Sequence, residues 1–219
     1  TAARQLGAHD DEHADEAARL DMFERINTGS KNANTAEIRR GALAGPFLDV
    51  VVDLANDPLL AQLAPMSEKS KNERGYEELV TRFFAYGDGL EDYRDRPSAF
   101  LFAYSKKMNE AFAADPALAD KYRERFSAVL GFVSRNFPFG FRKTDSGSAT
   151  PRTRFESIAI GADRALAERP ELADRSADEL DVASWINLPE FQKITGSDGA
   201  NAVARLRGRI EFVRNKLVG

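Results

Sequence analysis

The sequence contains no cysteine, which excludes disulfides, thiolate metal sites and cysteine nucleophiles. Its only histidines are His9 and His13, so most histidine chemistry is excluded as well. No apolar run approaches the roughly 18 to 20 residues that a membrane-spanning helix needs. No charged-then-apolar signal peptide opens the chain. These features predict a soluble, cytoplasmic protein with no membrane partner.

A large charge of one sign is also missing. The chain has 35 acidic and 31 basic residues, and its formal net charge is −4. Such a balance creates no field that by itself attracts DNA or an anionic membrane, so any nucleic-acid contact would need a local basic patch. With 42% hydrophobic residues in 219 positions, the chain is long and apolar enough to bury a core of one large or two small domains.

Signals for β-strands are absent, whereas helical periodicity recurs throughout the chain. The sequence therefore predicts an all-α fold, a multi-helix orthogonal bundle of about seven to ten helices with under about 5% strand. The predicted helices span residues 12–27, 35–44, 46–56, 73–86, 98–114, 116–137, 152–168, 176–187, 189–194 and 201–218. One continuous core is predicted to contain Phe83, Phe84, Phe126, Val129 and Val133.

The domain organisation follows from composition. Residues 1–20 form a polar, acid-rich N-terminal segment, and residues 21–219 form a single helical domain. The alternative is two lobes joined at 138–151. Against a simple linker, this segment contains the apolar and charged side chains of Phe139, Phe141 and Arg142, which a linker does not need. Because so little of the first segment can be buried, we expect the chain to be a fragment of a longer, two-part protein. A native terminus exposed by removal of a tag is the competing interpretation.

Most sequence motifs that carry chemistry are absent, including phosphate-binding glycine loops, His-Glu-x-x-His and Gly-x-Ser-x-Gly. Asp10, Asp11 and Glu12, flanked by His9 and His13, superficially resemble a metal site. They lie in the most polar part of the chain, where a solvated charge run is the default, so we predict no metal site. The single tryptophan, Trp185, is predicted to anchor the core or an interface rather than a cofactor.

Residues 22–30 read MFERINTGS and predict a helix end with a specific chemistry. Phe23 and Asn27 are four residues apart and share a helix face, and asparagine readily adopts the left-handed conformation that ends a helix. The following amides and hydroxyls, with Arg39 and Arg40 on the next helix, suit an anion. The alternative is an ordinary connector whose arginines face solvent.

Four segments resemble the GmrSD-type family, also known as domain of unknown function 262. The first, DMFERINTGSKNANTAEIRRGAL, resembles the family's Phe-x-x-x-Asn element, which is followed by a glycine and precedes a Glu-x-Arg helix. The other three are ELVTRFFAYGDGLEDY, RTRFESIAIGADRAL and SDGANAVARLRGRIEFVRNKLVG, which resemble the family's later segments. The resemblance covers most of the chain from about residue 21 onward.

The resemblance implies which residues support a nucleotide site. Phe23 and Asn27 match the family's second motif, and Arg25, Gly29, Glu37 and Arg39 are carried over with them. The family's first motif, Asp-Gly-Gln-Gln-Arg, is associated with nucleotide binding and hydrolysis and belongs to an N-terminal ParB/sulfiredoxin-like domain. That motif is absent from this sequence, so no catalytic residue is predicted here.

By this resemblance, the chain is the helical portion of a nucleotide-dependent, modification-dependent restriction or anti-phage defence protein. It would support a nucleotide site in the N-terminal ParB-like domain of the same protein. No cofactor is expected in this chain, whereas the full-length protein would bind a nucleoside triphosphate with a divalent metal. Its further partners would be DNA and a nuclease domain or subunit. The chain alone is predicted to be inactive.

A second function stays open from the residues themselves, namely a non-catalytic helical module that binds DNA or a protein. Its candidate DNA contacts are the basic residues of the last predicted helix, which are Arg205, Arg207, Arg209, Arg214 and Lys216. Replacing Arg205 and Arg209 together is then predicted to weaken DNA binding for all sequences. The competing interpretation is a solvated face opposite the apolar stripe of that helix.

Overall fold

The computed structural model describes residues 35–196 and 199–219. Within these ranges the chain forms α-helices and one short 3₁₀ helix, with no β-strand, which confirms the all-α prediction. The chain divides after Ala44 into two units. The predicted helix 12–27 and its connector up to Asn34 lie outside the described residues.

The first unit contains one described helix, Thr35–Ala42 (α1), which agrees with the predicted helix 35–44. Glu37 lies in its first turn, where a carboxylate complements the partial positive charge of a helix N-terminus. Ala36 and Arg39 are its buried residues.

The second unit, Gly45–Gly219, contains all the other described helices. The longer ones are Pro46–Ala55 (α2), Gly75–Asp88 (α5), Pro97–Ala114 (α6), Leu118–Asn136 (α7), Arg152–Glu168 (α8) and Val203–Val218 (α12). The shorter ones are Pro58–Leu63 (α3), Glu68–Asn72 (α4), Ala177–Leu180 (α9), Val182–Trp185 (α10) and Pro189–Ile194 (α11). The 3₁₀ helix spans Pro170–Asp174.

Local sequence explains where several helices begin. Pro46, Pro58, Pro97 and Pro189 lie in the first turn of their helices, where no intrahelical N–H bond is lost. The first amides of α2 are capped from another helix, because Asn109 Oδ1 accepts hydrogen bonds from the backbone N–H groups of Phe47 and Leu48. A Cβ on Gly45 would lie 2.5 Å from Asn109 Cγ, so a larger residue here would displace the capping side chain.

Three short elements escape the sequence prediction and one predicted helix is divided. The prediction omits α3, α4 and the 3₁₀ helix, which are five or six residues long and show too little periodicity to detect. The predicted helix 176–187 is wrong as one element. Asp181 adopts a left-handed conformation with φ of 45° and separates α9 from α10.

Helix α8 is the centre of the second unit. Its residues from Thr153 to Asp163 are all buried, so it has no solvent-facing stripe over that length. It packs against α12, α5 and α7. The close contact with α12 depends on Gly161, because a Cβ there would lie 2.6 Å from Val213 Cβ. The predicted core residues Phe83, Phe84, Phe126, Val129 and Val133 are all at most 1% exposed, as expected.

Aromatic side chains fill the space between the helices. Phe47 of α2 meets Phe84, Phe112 and Tyr104 in edge-to-face contacts at centroid distances of 5.5 to 6.1 Å. Trp185 is 4% exposed and meets Phe191 edge-to-face, which confirms its predicted place in the core. Residues 138–151 lie within the second unit, and Phe141 in that segment is fully buried.

Candidate functional site

A buried ion cluster joins three helices at the centre of the second unit. The carboxylate of Glu156, on α8, has no exposed surface. Arg82 Nη1 on α5 donates to Glu156 Oε1 at 3.0 Å, and Arg209 Nη2 on α12 donates to Glu156 Oε2. Arg152 Nε lies 3.7 Å from Glu156 Oε1 one turn earlier on α8. Glu156 therefore holds together helices that lie far apart in sequence.

A second carboxylate and two tyrosines extend the cluster. Arg82 Nε donates to Glu78 Oε1 at 2.7 Å, and Arg82 Nη1 also donates to the Tyr86 hydroxyl at 2.9 Å. The Tyr93 hydroxyl donates to the carbonyl oxygen of Asn201 at 2.7 Å. These bonds tie α5 and the chain that follows it to the segment that precedes α12.

The environment keeps the cluster charged. Burial alone would lower the pKa of Arg82, but the carboxylates of Glu78 and Glu156 outweigh it, so that pKa is raised. Burial raises the pKa of Tyr86, which therefore stays a neutral hydroxyl at physiological pH. Because Arg82, Arg209 and Glu156 are almost inaccessible to solvent, these three side chains can orient helices but cannot contact a dissolved substrate.

A second charged cluster lies nearer the surface around Asp88, at the end of α5. Arg125 Nη1 donates to Asp88 Oδ1 at 2.5 Å, and the hydroxyls of Tyr104 and Tyr122 both donate to Asp88 Oδ2. Arg125 also makes a bidentate pair with Asp163 of α8, with distances of 2.8 and 2.7 Å. The Asp88 carboxylate is thus fully engaged by donors from α6 and α7.

The two tyrosines of this second cluster act only as donors at neutral pH. Burial, reinforced by the negative charge of Asp88, raises the pKa of Tyr122 to about 12. The same two causes raise the pKa of Tyr104 further. A catalytic tyrosine needs a pKa near the working pH, so this arrangement opposes proton transfer and favours a fixed structure.

An open groove of about 180 Å³ lies beside Asp88. Its apolar lining includes Phe100, Ala103 and Tyr104 on one face of α6, together with Ala85 of α5. Its charged lining includes Lys107 of α6 and, at or just after the end of α5, Asp88, Glu91 and Asp92. The groove combines aromatic surface with carboxylates, which is a chemistry suited to cations.

Arg154 is a buried cation of a different kind. It is 2% exposed, and its guanidinium donates to two backbone carbonyl oxygens, those of Arg142 and Ile186. Within the described ranges no carboxylate forms a salt bridge with it. Burial lowers the pKa of Arg154 to about 10, so it stays positive at neutral pH. Its guanidinium carbon also lies 5.1 Å from the centre of the Phe191 ring. Arg154 thus secures the 138–151 segment and the end of α10 to α8.

The predicted nucleotide-site residues fall mostly outside the structure's described part. Phe23, Arg25, Asn27 and Gly29 lie in residues 1–34, so their prediction stands as made. Glu37 and Arg39 both lie on α1 of the first unit, where Arg39 is 3% exposed.

The predicted DNA contacts on α12 do not form one basic surface. Arg209 is 2% exposed and bound to Glu156 and to the carbonyl oxygen of Ala200, so its assignment as a surface contact is wrong. Arg214 is paired with Glu168 of α8. Arg205, Arg207 and Lys216 are exposed. Replacing Arg209 would therefore disturb the core before it affected any DNA contact.

Sequence reasoning missed Arg82, Glu156 and Arg209 as a buried set, although spacing contains a signal for the arginines. Arg82 lies three residues after Leu79 and four before Tyr86, and Arg209 is placed the same way between Leu206 and Val213. Both arginines therefore lie within an apolar helical stripe. Glu156 has no such signal, because α8 is buried on every side around it.

The chain was compared with protein-family models, with curated proteins and with solved structures, and nothing matched in any of the three comparisons.

Proposed function

We propose that this chain is the helical portion of a GmrSD-like, nucleotide-dependent and modification-dependent restriction or anti-phage defence protein. In this role the helices support a nucleotide site that belongs to an N-terminal ParB-like domain. The proposal rests on the four resembling segments and on how three of them are arranged.

The observation that carries the proposal is which parts of the sequence supply the residues of the buried ion cluster. The segments 78–93, 152–166 and 197–219 resemble the family independently of one another. Each supplies at least one charged residue to the cluster, with Arg82, Glu156 and Arg209 coming from the three segments respectively. The proposal takes as its support that three resembling segments meet at one buried carboxylate.

The cluster suits a supporting function. Functional groups work only when the elements that hold them are rigid, and rigidity comes from locked rotamers and satisfied polar contacts. In the second unit the charged groups of α5, α8 and α12 lock one another in place. A rigid helical body of this kind can serve as a support for a neighbouring domain.

The proposal assigns no chemical step to the described residues. The motif associated with nucleotide hydrolysis is absent from the sequence. Within residues 35–196 and 199–219 no group of three or more histidine, aspartate or glutamate side chains is placed to hold a metal ion. The proposal places the nucleoside triphosphate and its divalent metal in the ParB-like domain.

The direct test is restriction in cells. The full gene that contains this chain is expressed, and the plating efficiency of phages with modified DNA is compared with that of phages with ordinary DNA. We expect selective loss of plating for one modified class, accompanied by nucleotide hydrolysis in the purified full-length protein. Equal plating of all phages, with no nucleotide hydrolysis, would contradict the proposal.

A pair of variants separates function from folding. Asn27→Ala in the full-length protein should abolish restriction but hardly change the melting temperature of the 219-residue chain. Phe23→Ala should destabilise both proteins, by roughly 3 to 5 kcal/mol if the ring is fully buried. If Asn27→Ala unfolds the chain as strongly as Phe23→Ala, the asparagine is a helix cap and not a site residue.

A further inference from the structure

The groove beside Asp88 is small and has a defined aromatic surface. Phe100, Ala103, Tyr104 and Lys107 recur at helical spacing on α6 and line it together. Pockets for drug-sized ligands usually enclose about 300 to 1,000 Å³. A groove of about 180 Å³ therefore suits one side chain rather than a whole small molecule.

The aromatic surface is held in place before any ligand arrives. The Phe100 ring is stacked on Tyr86, with centroids 5.9 Å apart and planes 20° apart, and meets Tyr93 edge-to-face. Tyr104 is fixed by its hydrogen bond to Asp88. A ligand that stacks on these rings would lose little free energy to ordering them.

The carboxylates that line the groove differ in whether they already have partners. Asp88 is already satisfied by Arg125, Tyr104 and Tyr122. Glu91 and Asp92 are exposed, and in the described part of the chain neither carboxylate forms a salt bridge. Lys107 is the cation that lines the groove against them. Two open carboxylates beside aromatic faces attract a cation and repel a phosphate.

We propose that this groove binds a lysine or arginine side chain from a basic segment of a partner protein. The alkyl stem or guanidinium plane lies against Phe100 and Tyr104, and the charged end meets Glu91 and Asp92. This docking function is separate from nucleotide support and does not depend on it. A nucleic acid is the less suitable occupant, because its phosphates would face the two carboxylates.

The test measures binding of a capped peptide of alternating arginine and glycine to the whole 219-residue chain by NMR at low salt. A peptide with citrulline in place of arginine is the neutral control, since it keeps the shape and removes the charge. We expect the arginine peptide to shift the amide signals of Glu91, Asp92 and Phe100, and the citrulline peptide to bind much more weakly.

Two sets of variants at the groove should change the affinity for the arginine peptide in opposite directions. The double variant Glu91→Gln and Asp92→Asn should weaken arginine-peptide binding by roughly three- to tenfold, and Lys107→Gln should strengthen it. All three positions are exposed, so melting temperatures should not change. The proposal is overturned if the citrulline peptide binds equally well or if the double variant binds like the original chain. Shifts of the same amide signals by single-stranded DNA alone, without peptide, would also overturn it.

Discussion

Arg82 Nη1 and Glu156 Oε1 lie 3.0 Å apart although 74 residues separate them in the chain, and their side chains are 6% and 0% exposed. Removing two such charges from water costs several kcal/mol for each ion, and this cost is offset only when the remaining lone pairs and N–H groups are bonded. The oxygens of Glu156 meet this condition because each accepts from a different arginine, whereas Arg209 Nε is buried with no partner among the described residues. Removing this carboxylate would therefore leave two buried cations without the anion that they share.

The first prediction follows from that arrangement. Glu156→Gln should lower the free energy of unfolding by about 3 to 5 kcal/mol, because it removes the anion that balances Arg82 and Arg209. The measurement is chemical denaturation followed by circular dichroism. The matched control is Glu168→Gln, since Glu168 pairs with Arg214 at the surface. That control should hardly change stability. Equal stability of the two variants would mean that the cluster contributes nothing specific.

The second prediction concerns the contact between α8 and α12. Gly161→Ala would place a Cβ 2.6 Å from Val213 Cβ and 2.9 Å from the Ile210 carbonyl oxygen, so the helices must separate. We expect a loss of roughly 1 to 3 kcal/mol in unfolding free energy.

Gly208 offers the control for this substitution. It lies on α12, and in the described part of the chain no atom beyond its own helix backbone and chain neighbours lies within 4 Å of its Cβ position. Gly208→Ala should stabilise the protein by roughly 0.5 to 1 kcal/mol, because alanine favours the helix. Thermal and denaturant unfolding of both variants would show whether Gly161→Ala lowers stability and Gly208→Ala raises it. A stabilising Gly161→Ala would contradict the packing described for α8.

The third prediction concerns alkaline pH. Burial is the leading cause that raises the pKa of every tyrosine in the chain, which are Tyr76, Tyr86, Tyr93, Tyr104 and Tyr122. An unfolded tyrosine ionises near pH 10, whereas folded Tyr122 ionises at about 12. The unfolded chain therefore releases its phenolic protons first, and stability should fall as pH rises above about 10.

The measurement is ultraviolet absorbance of tyrosinate during titration of the native and the denatured protein. We expect little tyrosinate in the native protein at a pH where the denatured chain is half ionised. Tyr122→Phe should remove the native transition near pH 12. Overlapping titration curves for the native and denatured protein would show that the hydroxyls are not buried as described.

The sequence predicts the long helices well because their apolar residues recur at helical spacing over many turns. It also predicts the core, since Phe83, Phe126 and Val133 each lie in such a stripe. It places α8 correctly at 152–168 but does not predict that Glu156 is buried there, because only the tertiary contacts with Arg82 and Arg209 explain a buried carboxylate. It also fails at Asp181, whose left-handed conformation interrupts a segment that looks continuous.

The same reasoning changes how the basic residues of α12 should be tested. Arg209 belongs to the core, whereas Arg205 and Arg207 are exposed. If α12 contacts DNA phosphates, the double variant Arg205→Ala and Arg207→Ala should weaken binding for all sequences. Because each neutralised phosphate contributes about 0.9 to the slope of log affinity against log salt, that slope should decrease by up to about two units. The measurement is a salt series of binding to several unrelated duplexes.

Arg209→Ala separates a structural effect from a binding effect in this experiment. It should destabilise the protein by about 3 to 5 kcal/mol, because it leaves the Glu156 carboxylate with only part of its compensation. The salt slope of whatever protein stays folded should be unchanged, since Arg209 does not reach the surface. A lower slope for Arg209→Ala would contradict its burial. Undetectable binding by the unaltered chain at low salt would leave α12 with a solvated basic face and no function in DNA recognition.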